Sequence, residues 1–86
     1  MSARPRKEPD TSTYPGRIAA RLGELLARKG WTISEAAERI TAAGEPISEA
    51  ALGYYLRGER ELPLRYVPVI AQIFGYKSAG GWLPDA

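Results

Sequence analysis

The chain of 86 residues contains no cysteine and no histidine. Without cysteine no disulfide can staple the fold and no thiolate set can hold a metal; without histidine the commonest metal ligand and general base are missing. No clustered carboxylate pair marks a pocket either, so the expected activity is binding rather than catalysis, with no cofactor, no metal and no small-molecule ligand implied. No apolar run approaches the ~20 residues of a membrane span, and the basic residues near the start have no apolar stretch behind them, so neither a span nor a secretory signal is expected. A cytoplasmic location is the default. Net charge is small too: 12 Lys and Arg against 10 Asp and Glu leave only +2, too little to announce a nucleic-acid partner by its sum.

At this length the chain is one small domain whose single apolar core leaves a few kcal/mol of net stability, and dimerisation would add to it. Residues 1–15, MSARPRKEPDTSTYP, have prolines, small polar residues and no apolar periodicity, and read as a flexible basic arm, either disordered or reaching along a DNA backbone. Residues 16–76 carry the helical pattern. From Arg17 to Lys29, Ile18, Ala19, Leu22, Leu25 and Leu26 mark one face of an amphipathic helix that Gly30 ends. Trp31 follows in the connection, placed to plug the core. Thr32-Ile33-Ser34-Glu35 has the spacing of a capping box, so a second helix starts there with Ile33, Ala36, Ala37 and Ile40 on its apolar face. The two alanines permit close approach of a neighbouring helix. Further on, Pro63 is placed to open a short helix through Val67, and Pro68 another, ending at Gly75 with Val69, Ile70, Ile73 and Phe74 inside. The tail, residues 77–86, has Trp82 and Leu83 without periodicity, and its aromatics either fold back onto the core or take part in a dimer contact. The fold class is therefore all-α, with four to five helices.

The stretch between the second helix and Pro63 carries the functional signal. In ISEAALGYYLRGER, residues 47–60, Ser48 is a good N-cap and Gly58 a good left-handed stop. Between them Ala51, Leu52, Tyr55 and Leu56 share one helical face, leaving Glu49, Ala50, Gly53, Tyr54 and Arg57 on the other. The first face is built to pack. The second is small and polar enough to touch a partner.

Taken together, TISEAAERI, a turn, ISEAALGYYLRGER and LPLRYVPVIAQIFG resemble the Cro and phage-repressor type of helix-turn-helix domain, the xenobiotic-response-element family. The resemblance covers about residues 17–76 and rests on Thr32, Glu35, Ala37 and Ile40, then Ser48, Leu52 and Tyr55, then Arg57-Gly58-Glu59-Arg60 and Pro63. It implies a compact lambda-repressor-like DNA-binding domain in which Ala37 lets the two motif helices cross closely and Leu52 anchors the second one. Two departures are visible. Thr41-Ala42-Ala43-Gly44-Glu45-Pro46 makes the connection longer than the usual tight turn, which is similar to an actinobacterial subgroup of regulators. An arginine near the end of the first helix that often pairs with a glutamate before the loop glycine is replaced here, the matching positions being Leu26 and Leu56; losing both together avoids a buried unpaired charge.

Carried over residue by residue, the family's base-reading positions fall on Ser48, Glu49, Ala50 and Tyr54, and its backbone contacts on Thr32, Arg57 and Arg60. Glu49 can accept from a cytosine amino group, Ala50 can meet a thymine methyl, Tyr54 offers a hydroxyl and a ring face, and the arginines suit phosphates. Glu49 equally fits a plain role as an acid at a helix N-terminus. The set has no Asn, Gln or base-facing Arg, so specificity per domain is modest and calls for a second subunit on a paired half-site. The resemblance thus implies a sequence-specific transcriptional regulator, a repressor rather than an activator, bound as a homodimer to double-stranded DNA. The rival is a protein-interaction module of the same fold, an antitoxin or adaptor component, using Tyr54, Tyr55, Tyr76 and Trp82 as an aromatic surface.

Overall fold

The computed structural model describes residues 9–85, and every regular element among them is an α-helix. There are four: α1 Tyr14–Lys29, α2 Ile33–Ala42, α3 Glu49–Leu56 and α4 Tyr66–Ile73. The chain is all-α. Arg4, Arg6 and Lys7 of the basic arm lie outside the described residues.

The first helix begins at Tyr14, one turn before the Arg17 expected from periodicity. Thr13 is extended and its hydroxyl oxygen accepts from the Gly16 N–H at 3.1 Å, while Pro15 occupies the first turn, where a missing N–H costs no intrahelical bond. Gly16 is obligatory there for space, because a β-carbon would run into the Asp10 carbonyl of the turn that precedes the helix. At the other end Gly30 takes φ +70°, and its N–H and that of Trp31 close on Ala27 and Leu26.

The capping box of α2 is complete: Thr32 Oγ1 accepts from the Glu35 N–H and Glu35 Oε1 from the Thr32 N–H, both at 3.1 Å. Ala36, Ala37 and Ile40 are buried against the rest of the core, and α2 packs on both α3 and α4. The long connection after it is well tied. Thr41 Oγ1 accepts from the Ile47 N–H at 3.1 Å and donates to the Ile47 carbonyl at 3.3 Å, so one hydroxyl holds the end of the loop to α2. From the far side the Tyr66 hydroxyl donates to the Pro46 carbonyl at 2.8 Å, and Arg65 lies 3.7 Å from Glu45.

The two short helices anticipated around Pro63 and Pro68 are one. Pro63 opens a turn, with the Tyr66 N–H on its carbonyl at 3.1 Å, and α4 then starts at Tyr66 and runs through Pro68. Pro68 is the third residue of that helix, still inside the first turn whose N–H groups have no partner, so it neither begins nor breaks the element.

Two tryptophans sit in contrasting places. Trp82 is 0 % exposed, with its Nε1–H donating to the Val67 carbonyl at 2.9 Å, and it brings the tail onto the core. Arg21 of α1 reinforces this by donating to the Trp82 carbonyl at 3.0 Å and to the Tyr76 hydroxyl at 3.1 Å, and the Tyr14 hydroxyl donates to the Pro84 carbonyl at 2.9 Å. Trp31, expected inside, is only half-buried: its ring stacks on Phe74 at 5.0 Å and carries the Arg39 guanidinium at 4.2 Å. It covers an edge of the core instead of filling it. Among the described residues no helix is long and apolar enough to cross a membrane.

Candidate nucleic-acid interface

The third helix is fixed from below by Leu52, with Tyr55 and Leu56 packed on the core beside it. Leu52 is 0 % exposed in a core that also takes Leu22, Leu26, Ile40 and Ile70, and α3 packs against both α1 and α2. Ser48 caps it by accepting from the Ala51 N–H at 3.0 Å, and the chain leaves it through Arg57 and the left-handed Gly58, φ +73°. Ser48, Glu49 and Ala50 are all exposed at its open end. A helix held at its centre and capped at its start presents that first turn in a fixed orientation.

Between this turn and α2 runs an open groove of about 560 Å³ lined by Ser34, Ala37, Glu38, Thr41, Ala42, Ile47 and Glu49. Two of its lining groups are carboxylates. The other end of α3 has the opposite character. Arg57 and Arg60 both lie over the Tyr54 ring, with guanidinium carbons 5.3 and 4.3 Å from its centroid, and Arg57 Nε donates to Glu59 Oε1 at 2.7 Å. The surface of α3 is thus acidic where the helix begins and carries two arginines where it ends, one of them paired with Glu59.

The seven residues singled out from sequence fall into three places. Ser48, Glu49 and Ala50 form the exposed first turn; Tyr54, Arg57 and Arg60 form the cationic group; Thr32 stands at the start of α2 and lines a separate hollow of about 250 Å³ with Trp31 and Leu56. Thr32 has little left to offer a phosphate. Its N–H is taken by Glu35 and its oxygen by the Glu35 N–H, so only the hydroxyl proton remains, beside the Glu35 carboxylate. Tyr54 is half-buried under the arginines, which restricts its ring as a reader of base edges.

Two participants were not legible beforehand. Gly53, placed on the outer face by periodicity, is buried, and the Arg57 guanidinium covers it: a β-carbon there would sit 3.1 Å from Arg57 Nη1. A glycine inside a short helix is the one sequence signal that something approaches closely at that point. Glu59, read as part of a polar link, is the carboxylate paired with Arg57. The Leu26 and Leu56 pair lines the same hollow as Trp31, and among the described residues no charge is buried there.

Of the aromatic set that the rival reading uses, the fold buries Trp82 and leaves Tyr54, Tyr55 and Tyr76 partly exposed, each in contact with a neighbour. Trp82 is wholly buried, Tyr55 packs beside Tyr66 with centroids 6.0 Å apart, Tyr76 accepts from Arg21, and Tyr54 carries two guanidinium groups. Among the described residues the one large apolar side chain left exposed is Leu64, at 85 %. No family model, no curated protein and no solved structure matches the chain.

Proposed function

We propose that this domain binds double-stranded DNA as a transcriptional regulator of the Cro and phage-repressor type. The first turn of α3 enters the major groove, and Arg57 and Arg60 meet phosphates at the far end of the helix. The observation that carries the reading is the build of α3 itself: one side chain, Leu52, sunk completely in the core, a capped first turn of small or polar exposed residues, and a cationic group where the helix stops. Such an element is positioned by the fold without contributing its outer face to it. The Thr41 and Tyr66 hydrogen bonds to the long connection support the same reading, because they fix the angle between α2 and α3 that docking on a groove requires.

The acids in the groove set the terms of recognition. Glu49 and Glu38 repel phosphates, so the α2 side of the site gains little from the backbone and depends on Glu49 accepting from cytosine amino groups. With two arginines at the end of α3, affinity on a single half-site is low, and a homodimer on paired half-sites follows as the working state. Repression by occupancy needs nothing more than this domain, and the location is then the nucleoid of the cytoplasm of a bacterium or of a phage host. The experiment is fluorescence anisotropy of a labelled duplex of random sequence at about 50–200 mM salt, with Arg57→Ala and Arg60→Ala alongside. Binding that weakens steeply with salt, and weakens again in both variants, supports the reading. Absence of binding at the lowest salt rejects it.

A further inference from the structure

The contacts of Tyr54 point to a role different from the one its position on the outer face suggests. A base-reading side chain must be clear of its own neighbours so that its polar atoms reach a base edge. Here the ring is half-buried and already serves two guanidinium groups, Arg57 at 5.3 Å and Arg60 at 4.3 Å from its centroid. Two like charges gathered at one ring repel each other. The arrangement is held because the ring face attracts each cation, and because the Glu59 carboxylate, 2.7 Å from Arg57 Nε, offsets one of them. Glycine at position 53 completes it by leaving the surface beneath Arg57 open, where a β-carbon would press on Nη1 at 3.1 Å.

We propose that Tyr54 is a positioning residue whose ring holds Arg57 and Arg60 as a two-arginine clamp for the phosphates of a DNA strand at the end of α3. It does not read a base. Arginine is suited to this because its planar fork both stacks on an aromatic face and donates along its edge, so a stacked guanidinium keeps its edge N–H groups for a phosphate. The ring removes rotamer freedom from two long side chains before the ligand arrives, and their ordering then does not weigh against binding. Glu59 competes with the phosphate for Arg57 and sets how readily that arm of the clamp is released.

The inference rests on the proposed DNA binding, and the test separates the two. Wild type, Tyr54→Phe, Tyr54→Leu, Arg60→Ala and Glu59→Gln are compared on a duplex pool with a randomised centre, sequenced before and after capture, and by anisotropy against salt. Tyr54→Leu keeps both arginines, the net charge and the apolar bulk. The clamp predicts that it lowers affinity evenly across all sequences, reduces the salt slope toward that of Arg60→Ala, by up to about 1 per subunit, and leaves the enriched sequence unchanged. Tyr54→Phe, which keeps the ring, behaves as wild type, and Glu59→Gln binds more tightly. Loss of preference at one or two base positions with an unchanged salt slope, in Tyr54→Leu or in Tyr54→Phe, overturns the clamp and makes Tyr54 a base reader. The platform itself is read without DNA by NMR: the side-chain Hδ protons of Arg57 and Arg60 lie upfield in wild type and return to ordinary values in Tyr54→Leu. Unshifted protons in wild type overturn the clamp even if DNA is bound. Shifted protons in a protein that binds no DNA at low salt leave the platform standing, and remove the phosphate role together with the proposed function.

Discussion

Replacing Trp82 by alanine tests how much of this small domain depends on its last residues. The side chain is 0 % exposed and is the largest fully buried one among the described residues, so its loss carries the ~3–5 kcal/mol of a deleted core aromatic. The Nε1–H bond to the Val67 carbonyl adds ~0.5–1.5 kcal/mol, and freeing the tail also puts at risk the Arg21 bond to the Trp82 carbonyl and the Tyr14 bond to the Pro84 carbonyl. Against this, a domain of this length has roughly 4–13 kcal/mol in all. The variant therefore loses about 5 kcal/mol, and at about 4–8 °C per kcal/mol its melting temperature falls by roughly 20–40 °C. Urea denaturation followed by far-ultraviolet circular dichroism measures it without using tryptophan emission. Trp82→Phe, which keeps a ring and loses the donor, costs about 1–2 kcal/mol. Removing residues 77–86 costs at least as much as Trp82→Ala, because it also takes away Leu83 and the carbonyls to which Arg21 and Tyr14 donate. A midpoint for Trp82→Ala within about 0.5 kcal/mol of wild type would refute the reasoning, since surface changes alone give that much.

Other consequences follow from single contacts. Gly23 lies inside α1 with nothing within 4 Å of the place a β-carbon would take, so Gly23→Ala raises stability by about 0.5–1 kcal/mol, read from the same urea midpoint. Ser48→Ala removes the cap of α3 and costs about 1 kcal/mol, with amide exchange of the first turn of α3 accelerated more than that of α1. Asp10 accepts from the Ser12 hydroxyl at 2.6 Å and from its N–H at 3.0 Å, and these bonds hold its carboxyl below the ordinary 3.8. A depressed carboxyl stabilises the fold fully above 3.8 and loses that contribution as the pH falls through its lower folded value; Asp10→Asn flattens this acid limb in a stability profile against pH.

What the sequence made legible and what it concealed divide along physical lines. Caps are local chemistry, so the Thr32 to Glu35 box, the Ser48 cap and the Gly30 and Gly58 stops stand where side-chain type and spacing put them. The buried stripe of α1 followed from its period, through Ala19, Leu22, Leu25 and Leu26. Prolines misled twice, at Pro15 and Pro68, because each lies in a first turn where helix and helix start are equally compatible with a missing N–H. Trp31, expected to plug the core, covers its edge, and of the two places open to the tail aromatics Trp82 takes the one on the core; neither belongs to a periodic run, and burial in a connection or tail is decided by long-range packing. Gly53 was concealed for another reason: its surroundings are made by Arg57 folding back along the helix, which no periodicity encodes. The same fold-back turned Tyr54 from an open outer residue into a partner of two arginines.

The central claim is that the end of α3 meets DNA phosphates, and the slope of affinity against salt measures that most directly. A dimer that places Arg57 and Arg60 of each subunit on phosphates releases counterions from about four of them, giving a log–log slope of roughly −3 to −4, which falls toward −2 when either arginine becomes alanine. That pair of slopes is the predicted result. A wild-type slope near zero, or one that neither substitution changes, contradicts the account.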